Sequence, residues 1–498
     1  MKKKYYVGID QGTTGVAVLL FDTQWCQVAR GYCEEKQFYP KPGWVEHDPF
    51  DVWQAVVIAT KRAMEAIGAM PEEIICIGLD HEGESVVIWD KYTGKPIYPA
   101  IVWQDRRTAR YCDTLRGPYG TMVKSKTCLP IDSYFSATKL EWILQHVPDS
   151  REKIAEGRLL AGNMDAWILW NLTGGTVHKT DVSTASRTML YNVTTQSWDE
   201  DLLSLFHIDK NILPEIVPSN SCFGKTSRHV FLGISAPISG ILVDQQAALL
   251  GQACIRPGRV KTTYGTGCFM LMNTGDTIVD SPNGLLTTVA WSDTNNVTYA
   301  LDGGIYIAGA ATQWLRDGLQ IIGSASETEQ MARRIEDTHG LFFVPAFSGL
   351  AAPYWDSYAR GMMIGITGNT SREDIVRATL ESTAYQVRDV LDVMEKDSGT
   401  AITVMRCDGG ASNNSFLMQF QADILGIPVE VPKITETTAL GAAFMAALGI
   451  GEFASLRDVS HTWKLARRYE PQMSDEEQEI LMTQWHRAVE RARNWVVN

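Results

Sequence analysis

The sequence predicts an α/β protein of two related domains, and three observations lead to this prediction. Apolar strand-like segments alternate with helical segments in each half of the 498-residue chain, which favours sheets covered by helices. A strand–turn–strand pattern rich in glycine and threonine occurs near residue 12 and again near residue 266. The chain also exceeds the usual size of one hydrophobic core. We therefore expect one domain over residues 1–250 and another over 251–498.

The repeated pattern is a candidate phosphate cradle. The first copy turns through Asp10-Gln11-Gly12-Thr13-Thr14-Gly15, and the second turns through Tyr264-Gly265-Thr266-Gly267. Glycine lets the backbone approach a ligand closely, and threonine hydroxyls and backbone N–H groups suit phosphate oxygens. Two ordinary hairpins would show the same pattern. An acidic residue at the head of the first copy favours a nucleotide site, in a cleft between the two domains.

Further elements of the first half follow from apolar periodicity and capping signals. The helix after the first turn has Asp48 as a plausible cap and a proline in its first turn. Residues 206–237 are irregular and polar, so we expect loops and short elements on the surface there. Asp244 lies between a strand-like and a helix-like run, which places its carboxylate at the end of a strand. The predicted helices are 50–67, 137–146, 164–170 and 245–251, and the predicted strands are 74–79, 85–89 and 241–243.

In the second half, two capping boxes mark helix starts. Ser371 with Asp374 begins one helix, and Ser474 with Glu477 begins another. A strand that ends in Asp408-Gly409-Gly410 leads into a further helix, and such a junction presents backbone N–H groups to a ribose or phosphate. The predicted helices are 371–395, 416–425 and 474–496, and the predicted strand is 403–407.

Composition excludes several classes of protein. The 45 Lys and Arg against 58 Asp and Glu give a net charge of −13, which disfavours nucleic-acid and anionic-membrane partners. Nine cysteines without a C-x-x-C pair favour reduced thiols over a zinc site or disulfide framework. No apolar run approaches the length of a membrane span. We expect a soluble, cytoplasmic protein.

Several long strings in this sequence resemble the FGGY carbohydrate kinases, and within them the glycerol kinases. They extend from the first half to the C-terminal region, so the resemblance covers essentially the whole chain. It implies two ribonuclease-H-like domains of the actin and hexokinase type that close on ATP, with the active site in the interdomain cleft. The strings are 96–105 (PIYPAIVWQD), 170–174 (WNLTG), 244–252 (DQQAALLGQ), 264–275 (YGTGCFMLMNTG), 412–428 (SNNSFLMQFQADILGIP) and 436–443 (ETTALGAA).

The resemblance also implies roles for individual residues in phosphoryl transfer from ATP to a small polyol or sugar. This chemistry needs a base, Mg²⁺ and donors to the phosphates. Asp244 is implied as the general base and, together with Asp10, as a carboxylate associated with Mg²⁺. The implied nucleotide contacts are Thr13, Thr14, Thr266, Gly309, Gln313, Gly410 and Asn414. The implied acceptor contacts are Gly83, Glu84, Trp103, Tyr134, Asp244, Gln245 and Phe269.

Regulation and assembly are also suggested by the resemblance. Glycerol kinases form dimers or tetramers, so a homo-oligomer is expected. His229 resembles a histidine that is phosphorylated in some glycerol kinases, but an ordinary surface histidine is the preferred interpretation.

Two departures from the glycerol kinase pattern concern ligand binding. Glycerol kinases usually continue the first turn with two serines and an arginine, where this chain has Gly15-Val16-Ala17. They also carry an Asn-Gln-Arg-Glu run that binds glycerol, where this chain has His81-Glu82-Gly83-Glu84. Losing a charged hydrogen bond costs about 1.5–3 kcal/mol. We therefore expect that restoring arginine at Gly83 raises catalytic efficiency on glycerol.

Three interpretations stay open at this point. The chain is a glycerol kinase with weakened glycerol affinity, a kinase for a longer polyol or a ketose, or a catalytically silent protein that binds ATP and a polyol.

Overall fold

The computed structural model describes residues 3–293 and 296–496. The chain folds into two compact units. The first unit comprises Met1–Ile255, Thr288–Tyr299 and Thr437–Thr462, and the second comprises Arg256–Thr287, Ala300–Glu436 and Trp463–Asn498. Segment 437–462 packs with the first unit, and the division of the sequence into two domains at residues 250 and 251 stays a prediction.

Both units contain strands and helices. The strands are β1 (Tyr5–Gly12), β2 (Gly15–Phe21), β3 (Gln27–Glu34), β4 (Glu46–His47), β5 (Ile74–His81), β6 (Val86–Asp90), β7 (Lys95–Pro96), β8 (Ala100–Ile101), β9 (Leu159–Asn163), β10 (Lys179–Asp181), β11 (Tyr191–Asn192), β12 (Ser197–Trp198), β13 (Glu215–Val217), β14 (Gly224–Lys225), β15 (Pro237–Val243), β16 (Val260–Tyr264), β17 (Cys268–Gly275), β18 (Leu286–Ser292), β19 (Val297–Ile305), β20 (Phe342–Val344), β21 (Met362–Ile364), β22 (Met405–Asp408), β23 (Val429–Pro432) and β24 (Leu465–Tyr469). The helices are α1 (Pro49–Ile67), α2 (Ala109–Thr127), α3 (Ser136–His146), α4 (Ser150–Ala155), α5 (Met164–Leu172), α6 (Val182–Ala185), α7 (Glu200–Leu205), α8 (Asp244–Gly251), α9 (Gly309–Asp317), α10 (Glu327–Ala332), α11 (Arg372–Ser398), α12 (Ser415–Leu425), α13 (Thr437–Gly449), α14 (Leu456–Ser460) and α15 (Asp475–Ala492).

The central sheet of the first unit has the strand order β14-β15-β5-β1-β2-β3. β15, β5 and β1 run parallel, whereas β1, β2 and β3 form an antiparallel meander. Helix α1 packs on β2 and β3, and α13 packs on β1, β5 and β15. The parallel strands β1, β5 and β15 therefore end at one edge of the sheet, where Asp10, Asp80 and Asp244 lie at or next to their carboxyl ends.

A second large sheet has the strand order β18-β19-β17-β16-β22-β23-β24, and its strands β16, β17, β22, β23 and β24 lie in the second unit. In the second unit, a buried carboxylate joins helices α11 and α15. Asp389 of α11 accepts hydrogen bonds from Trp485 Nε1 and His486 Nε2 of α15 at 2.7 and 2.8 Å. The ring of Tyr385 stacks on Trp485 with centroids 5.4 Å apart. Tyr385 and Trp485 belong to the same hydrophobic core as the buried residues of β16 and β22.

Most predicted elements are confirmed, with ends that differ by at most four residues. Both hairpins form as expected, as β1–β2 and β16–β17. Asp48 caps α1 by accepting from Phe50 N, and the capping box of Ser371 begins α11. The predicted final helix ends earlier, at Ala492 instead of 496. The α/β fold class is confirmed.

One prediction from the sequence needs correction, and two helices were not predicted. Segment 206–237 forms loops and short elements such as β13 and β14, but it does not lie wholly at the surface, because Phe223, Phe231 and Ile234 are fully buried. Helix α2 was not predicted, since it contains Gly117, Pro118 and Gly120 in a weakly amphipathic run. Helix α13 was not predicted either, because it is apolar and buried on nearly every face and lacks the periodicity of a surface helix.

Two chemical expectations concern the described residues. None of the nine cysteines, which all lie within the described residues, forms a disulfide. Over residues 3–293 and 296–496, no helix combines the length and apolarity that a membrane crossing requires.

Candidate active site

The first phosphate turn is held by an aromatic residue of the predicted acceptor site. Trp103 Nε1 donates a hydrogen bond to Thr13 Oγ1 at 2.9 Å, and Tyr32 Oη donates to the Thr14 carbonyl at 3.2 Å. Asp10 ends up beside Asp80, its register partner in the parallel β1–β5 pair. The first phosphate turn is therefore hydrogen-bonded to Trp103, one of the predicted acceptor residues.

Asp244 occupies the first position of helix α8, directly after β15. Its carboxylate accepts from Gln245 N at 2.6 Å and from Gln245 Nε2 at 3.2 Å. A helix N-terminus stabilises negative charge, so this position suits a carboxylate that must be ionised to act as a base. Val243, rather than Asp244, is the residue that precedes the helix as its N-cap.

Glu84 forms a buried ion pair with Arg187. The distance from Arg187 Nε to Glu84 Oε1 is 2.6 Å, and the two side chains are 4% and 3% exposed. The guanidinium lies 5.6 Å from the ring centroid of Tyr134, whose ring in turn meets Trp103 edge-on at 5.7 Å. Arg187 thus contacts both Glu84 and Tyr134, and Tyr134 in turn contacts Trp103.

Sequence reasoning missed Arg187. The signal was present, because Arg187 is the charged residue in the run 182–191, which otherwise contains small, hydroxyl and apolar residues. A charged side chain in such a run is buried only if it is paired.

The electrostatics of Glu84 combine burial with two cations. Burial raises the pKa of Glu84, the positive charges of Arg187 and Lys139 oppose this rise, and Asp244 adds to it. Lys139 Nζ itself donates to the backbone carbonyls of Tyr134, Phe135 and Glu84, and burial lowers its pKa to about 8. Lys139 therefore fixes the backbone around Glu84, while Arg187 pairs with the carboxylate.

Gly83 adopts a left-handed conformation with φ of +78°. Its N–H donates to His81 Nδ1 at 3.2 Å, and its carbonyl accepts from Asn163 Nδ2 at 2.8 Å. A Cβ placed there would lie 3.2 Å from Val243 Cγ1. This geometry alters our expectation for arginine at this position, because any L side chain is strained at such a φ.

Glu82, His47 and Glu35 form a buried cluster next to the first phosphate turn. His47 Nδ1 lies 3.0 Å from Glu35 Oε2, and the Glu82 carboxyl group lies beside the hydroxyls of Thr13 and Ser85. Burial raises the pKa of Glu82, and the nearby Glu35 adds to this effect while His47 opposes it. Although burial lowers the pKa of His47, the hydrogen bond to Glu35 and the two carboxylates raise it overall.

The second phosphate turn lies in the second unit and is held by the start of α9. The N–H groups of Ala308 and Ala310 donate to the Thr266 carbonyl at 2.9 and 3.0 Å, and the Gly309 N–H donates to the Gly265 carbonyl at 3.0 Å. Gln313 follows Gly309 by one helical turn on α9. Gly309 thus lies next to the turn that carries Thr266, and Gln313 lies one turn further along α9.

The Gly-Gly junction after β22 is open on one side. A Cβ at Gly410 would meet no atom within 4 Å, whereas one at Gly409 would lie 2.4 Å from the Tyr264 carbonyl oxygen. Asn414 accepts from Leu417 N at 3.0 Å as the cap of α12, and its Nδ2 donates to Thr328 Oγ1 at 3.2 Å. The space at Gly410 is therefore free to take a ligand, while the amide of Asn414 is engaged in holding α10 and α12.

Other predicted residues are placed as follows. Phe269 lies in β17 of the second unit, partly buried. His229 lies in an exposed loop. Within the described part of the chain no three His, Cys, Asp or Glu side chains are grouped to hold a metal ion. Mg²⁺ usually takes only one or two carboxylates together with phosphate oxygens and water, so Asp10 and Asp244 fit its donor preference.

Comparison with known proteins gives the same assignment for both halves of the chain. Residues 5–251 match the N-terminal domain of the FGGY family of carbohydrate kinases, and residues 260–450 match its C-terminal domain. The chain belongs to the FGGY family of carbohydrate kinases.

Relatives within this family are similar over nearly the full length. Glycerol kinase 2 of Thermotoga maritima is 52% identical over 493 residues, 99% of each chain. The glycerol kinase of Pseudothermotoga lettingae is 51% identical over 498 residues, 100% of each chain. The crystal structure of Plasmodium falciparum glycerol kinase with ADP superposes with a TM-score of 0.93 at 38% identity and covers 98% of both chains. A gluconate kinase from Lactobacillus acidophilus, with a TM-score of 0.87 and 21% identity over 98% of this chain and 97% of its own, shares the fold. These FGGY kinases bear out the two-domain, actin- and hexokinase-type fold predicted from the sequence.

Proposed function

We propose that this FGGY kinase transfers the γ-phosphoryl group of ATP to a terminal hydroxyl of a small polyol, with Asp244 as the general base. The observation that carries the proposal is the buried Glu84–Arg187 pair in the same unit as Asp244, which begins helix α8. The negative charge of Asp244 contributes to the raised pKa of Glu84, which supports an acceptor site near both carboxylates. The glycerol kinases of Thermotoga maritima and Pseudothermotoga lettingae, at 52% and 51% identity, support the same chemistry.

Each residue has a role that its chemistry allows. Asp244 accepts the proton of the attacking hydroxyl, which is worth about 10²–10⁴-fold in rate. Glu84 accepts a hydrogen bond from a second hydroxyl, and Trp103 and Tyr134 supply an apolar wall for the carbon chain. Thr13 and Thr14 of the first turn and Thr266 of the second offer hydroxyls and N–H groups to phosphate oxygens.

The nucleotide and metal assignments rest on the same proposal. Gly410, with open space beside it, and the α9 start at Gly309 are the proposed contacts for adenosine and phosphate. The structure of the Plasmodium falciparum relative with ADP supports nucleotide use. Asp10 and Asp244 would hold Mg²⁺, which when bound neutralises charge on the phosphates.

The acceptor is either glycerol or a different neutral polyol or ketose. Similarity to the glycerol kinases favours glycerol, whereas Gly83 favours another acceptor because no cation stands at that position. The acidic composition, with a net charge of −13, supports a cytoplasmic enzyme without a nucleic-acid or membrane partner. Assembly as a dimer or tetramer is proposed on the resemblance to glycerol kinases.

The test is ADP release with glycerol, dihydroxyacetone, tetritols, pentitols and ketoses. We expect turnover with at least one of them, and Asp244→Asn should abolish it while ATP still binds. Asp276→Asn, a change at an exposed position, is the control and should leave turnover unchanged. ATP binding without turnover on any acceptor would favour a silent binding protein. Substantial turnover in the Asp244→Asn variant would remove the base assignment.

A further inference from the structure

The backbone N–H and the backbone carbonyl of Gly83 are both hydrogen-bonded to side chains. The N–H donates to His81 Nδ1 and the carbonyl accepts from Asn163 Nδ2, at 3.2 and 2.8 Å. Both partners are buried side chains of the first unit, His81 at the end of β5 and Asn163 at the end of β9. We call these two contacts the Gly83 clamp. Gly83 therefore keeps its left-handed conformation without a ligand.

The ring of His81 is itself fixed in one tautomer. Because Nδ1 accepts from the Gly83 N–H, the proton of the neutral ring is on Nε2, which donates to Thr184 Oγ1 at 2.8 Å. Burial lowers the pKa of His81 to about 4, so the ring is neutral at physiological pH. Thr184 is fixed in turn, since its N–H donates to Asp181 Oδ1 at 2.9 Å.

The second half of the clamp connects to the residue that would bind the acceptor. Asn163 Nδ2 also donates to Ser136 Oγ at 2.9 Å, and Ser136 Oγ donates to the Glu84 carbonyl at 3.2 Å. The clamp thus sets the backbone on both sides of the peptide bond between Gly83 and Glu84. A shift of Gly83 would move the Glu84 carboxylate relative to Arg187.

We propose that His81 and Asn163 are positioning residues that determine acceptor specificity. They hold Gly83 in a conformation in which any L side chain is strained, so that the acceptor is recognised by Glu84 and its partner Arg187 without a cation at position 83. This inference rests on the proposed function for its link to an acceptor.

The proposal defines the chemical class of the acceptor. At Gly83 an acceptor meets the glycine Cα and the Cγ1 methyl of Val243, which would lie 3.2 Å from a Cβ at this position. The hydroxyls of the acceptor bind to the carboxylates of Glu84 and Asp244, which accept hydrogen bonds. Neutral polyols donate such bonds. Sugar acids such as gluconate bring a further negative charge and should not be phosphorylated.

Thermal unfolding tests the clamp independently of any activity. Gly83→Ala adds a Cβ at positive φ beside Val243, whereas Gly94→Ala adds one at a φ of +65° with no atom within 4 Å and measures the general cost of that conformation. We expect Gly83→Ala to lower the Tm more than Gly94→Ala does, by about 3 °C. In a His81→Leu background, which cannot accept from the Gly83 N–H, this excess should shrink. An unchanged excess, or none at all, would overturn the clamp.

Kinetics test the link to the acceptor. We expect His81→Leu to raise the KM for glycerol, or for the best acceptor among erythritol, xylitol and dihydroxyacetone, about tenfold, with the KM for ATP within about twofold. His81→Asn should restore the acceptor KM, because an asparagine oxygen can accept from the N–H two residues later. Equal changes in both KM values, or no rescue by His81→Asn, would show a merely structural role and overturn the proposal.

Position 83 supplies the direct specificity test. Gly83→Arg should lower catalytic efficiency on glycerol at least tenfold, and a gain in efficiency would overturn the inference. Gluconate should release no ADP above background, and turnover on it would overturn the acceptor class. If the unmodified protein turns over no acceptor, the proposed function fails, while the Tm comparison still decides whether the clamp exists.

Discussion

The Arg187–Glu84 pair should dominate both the stability and the acceptor affinity of the first unit, and Arg187→Met tests this. The Nε–Oε1 distance is 2.6 Å and both side chains are nearly inaccessible to solvent. Removing one partner of a buried ion pair leaves an uncompensated charge, which typically costs about 3–5 kcal/mol. We expect the free energy of unfolding to fall by about this amount at neutral pH, reduced by what Glu84 recovers when it takes up a proton.

Proton uptake gives the variant a specific pH dependence. Burial raises the pKa of Glu84, and Arg187 opposes the rise. Without the guanidinium the folded-state pKa is higher, so the native protein binds a proton that the unfolded chain has already released above its ordinary pKa of about 4.3. The stability that this proton contributes is fully present below that value and is lost as pH rises through the folded-state pKa. The gap in Tm between the variant and the unmodified protein should therefore widen as pH rises above 4.3.

The assay is thermal unfolding from pH 5 to 8, together with the acceptor KM at each pH. Arg187→Met combined with Glu84→Gln should recover most of the lost stability, since no charge is then buried alone, but it should not recover acceptor affinity. Lys61→Met is the control, because Lys61 pairs with Glu65 at the surface, where such a pair contributes at most about 1 kcal/mol. A Tm loss for Arg187→Met no larger than for Lys61→Met, with no pH dependence, would refute this reasoning.

Two further predictions concern the nucleotide site and the buried cluster. Gly410→Leu should raise the KM for ATP at least tenfold with little change in Tm, because the side chain enters open space. Gly117→Leu, which also meets no atom within 4 Å, is its control, and equal KM values would contradict the adenosine assignment. Glu82→Gln should flatten the fall of Tm with rising pH above about 4.5, because the pKa of Glu82 is raised from 4.5 by burial. A uniform loss of Tm at every pH would contradict this.

Local signals in the sequence were sufficient for the elements whose patterns are short. The two Gly-Thr hairpins, the Asp48 cap and the Ser371 capping box depend on residues within four positions of one another. Helix α13 was missed because a helix that is buried all round carries no periodic pattern. The segment 437–462 could not be assigned to the first unit for a related reason: its partners lie about 200–430 residues earlier in the chain.

The candidate site, too, could be predicted only in part from the sequence. The resemblance to FGGY kinases names Asp244, Glu84 and Trp103, but it says nothing about which side chains surround them. Arg187 comes from a segment more than 100 residues after Glu84, and no local pattern relates the two. The glycine at position 83 was visible in the sequence, but its left-handed φ of +78° was not, because backbone φ is not encoded by residue type alone.

Residue order determines the strands, turns and caps of this kinase, because those depend on neighbours in the chain and on the backbone preferences of glycine, proline and short polar side chains. The tertiary structure decides which carboxylates are charged and which positions can bear a side chain. Electrostatic and packing energies depend on the distance between groups in space rather than on their separation along the chain. Arg187 therefore pairs with Glu84 from a distant segment. Gly83 is held by hydrogen bonds that it donates to His81 and accepts from Asn163.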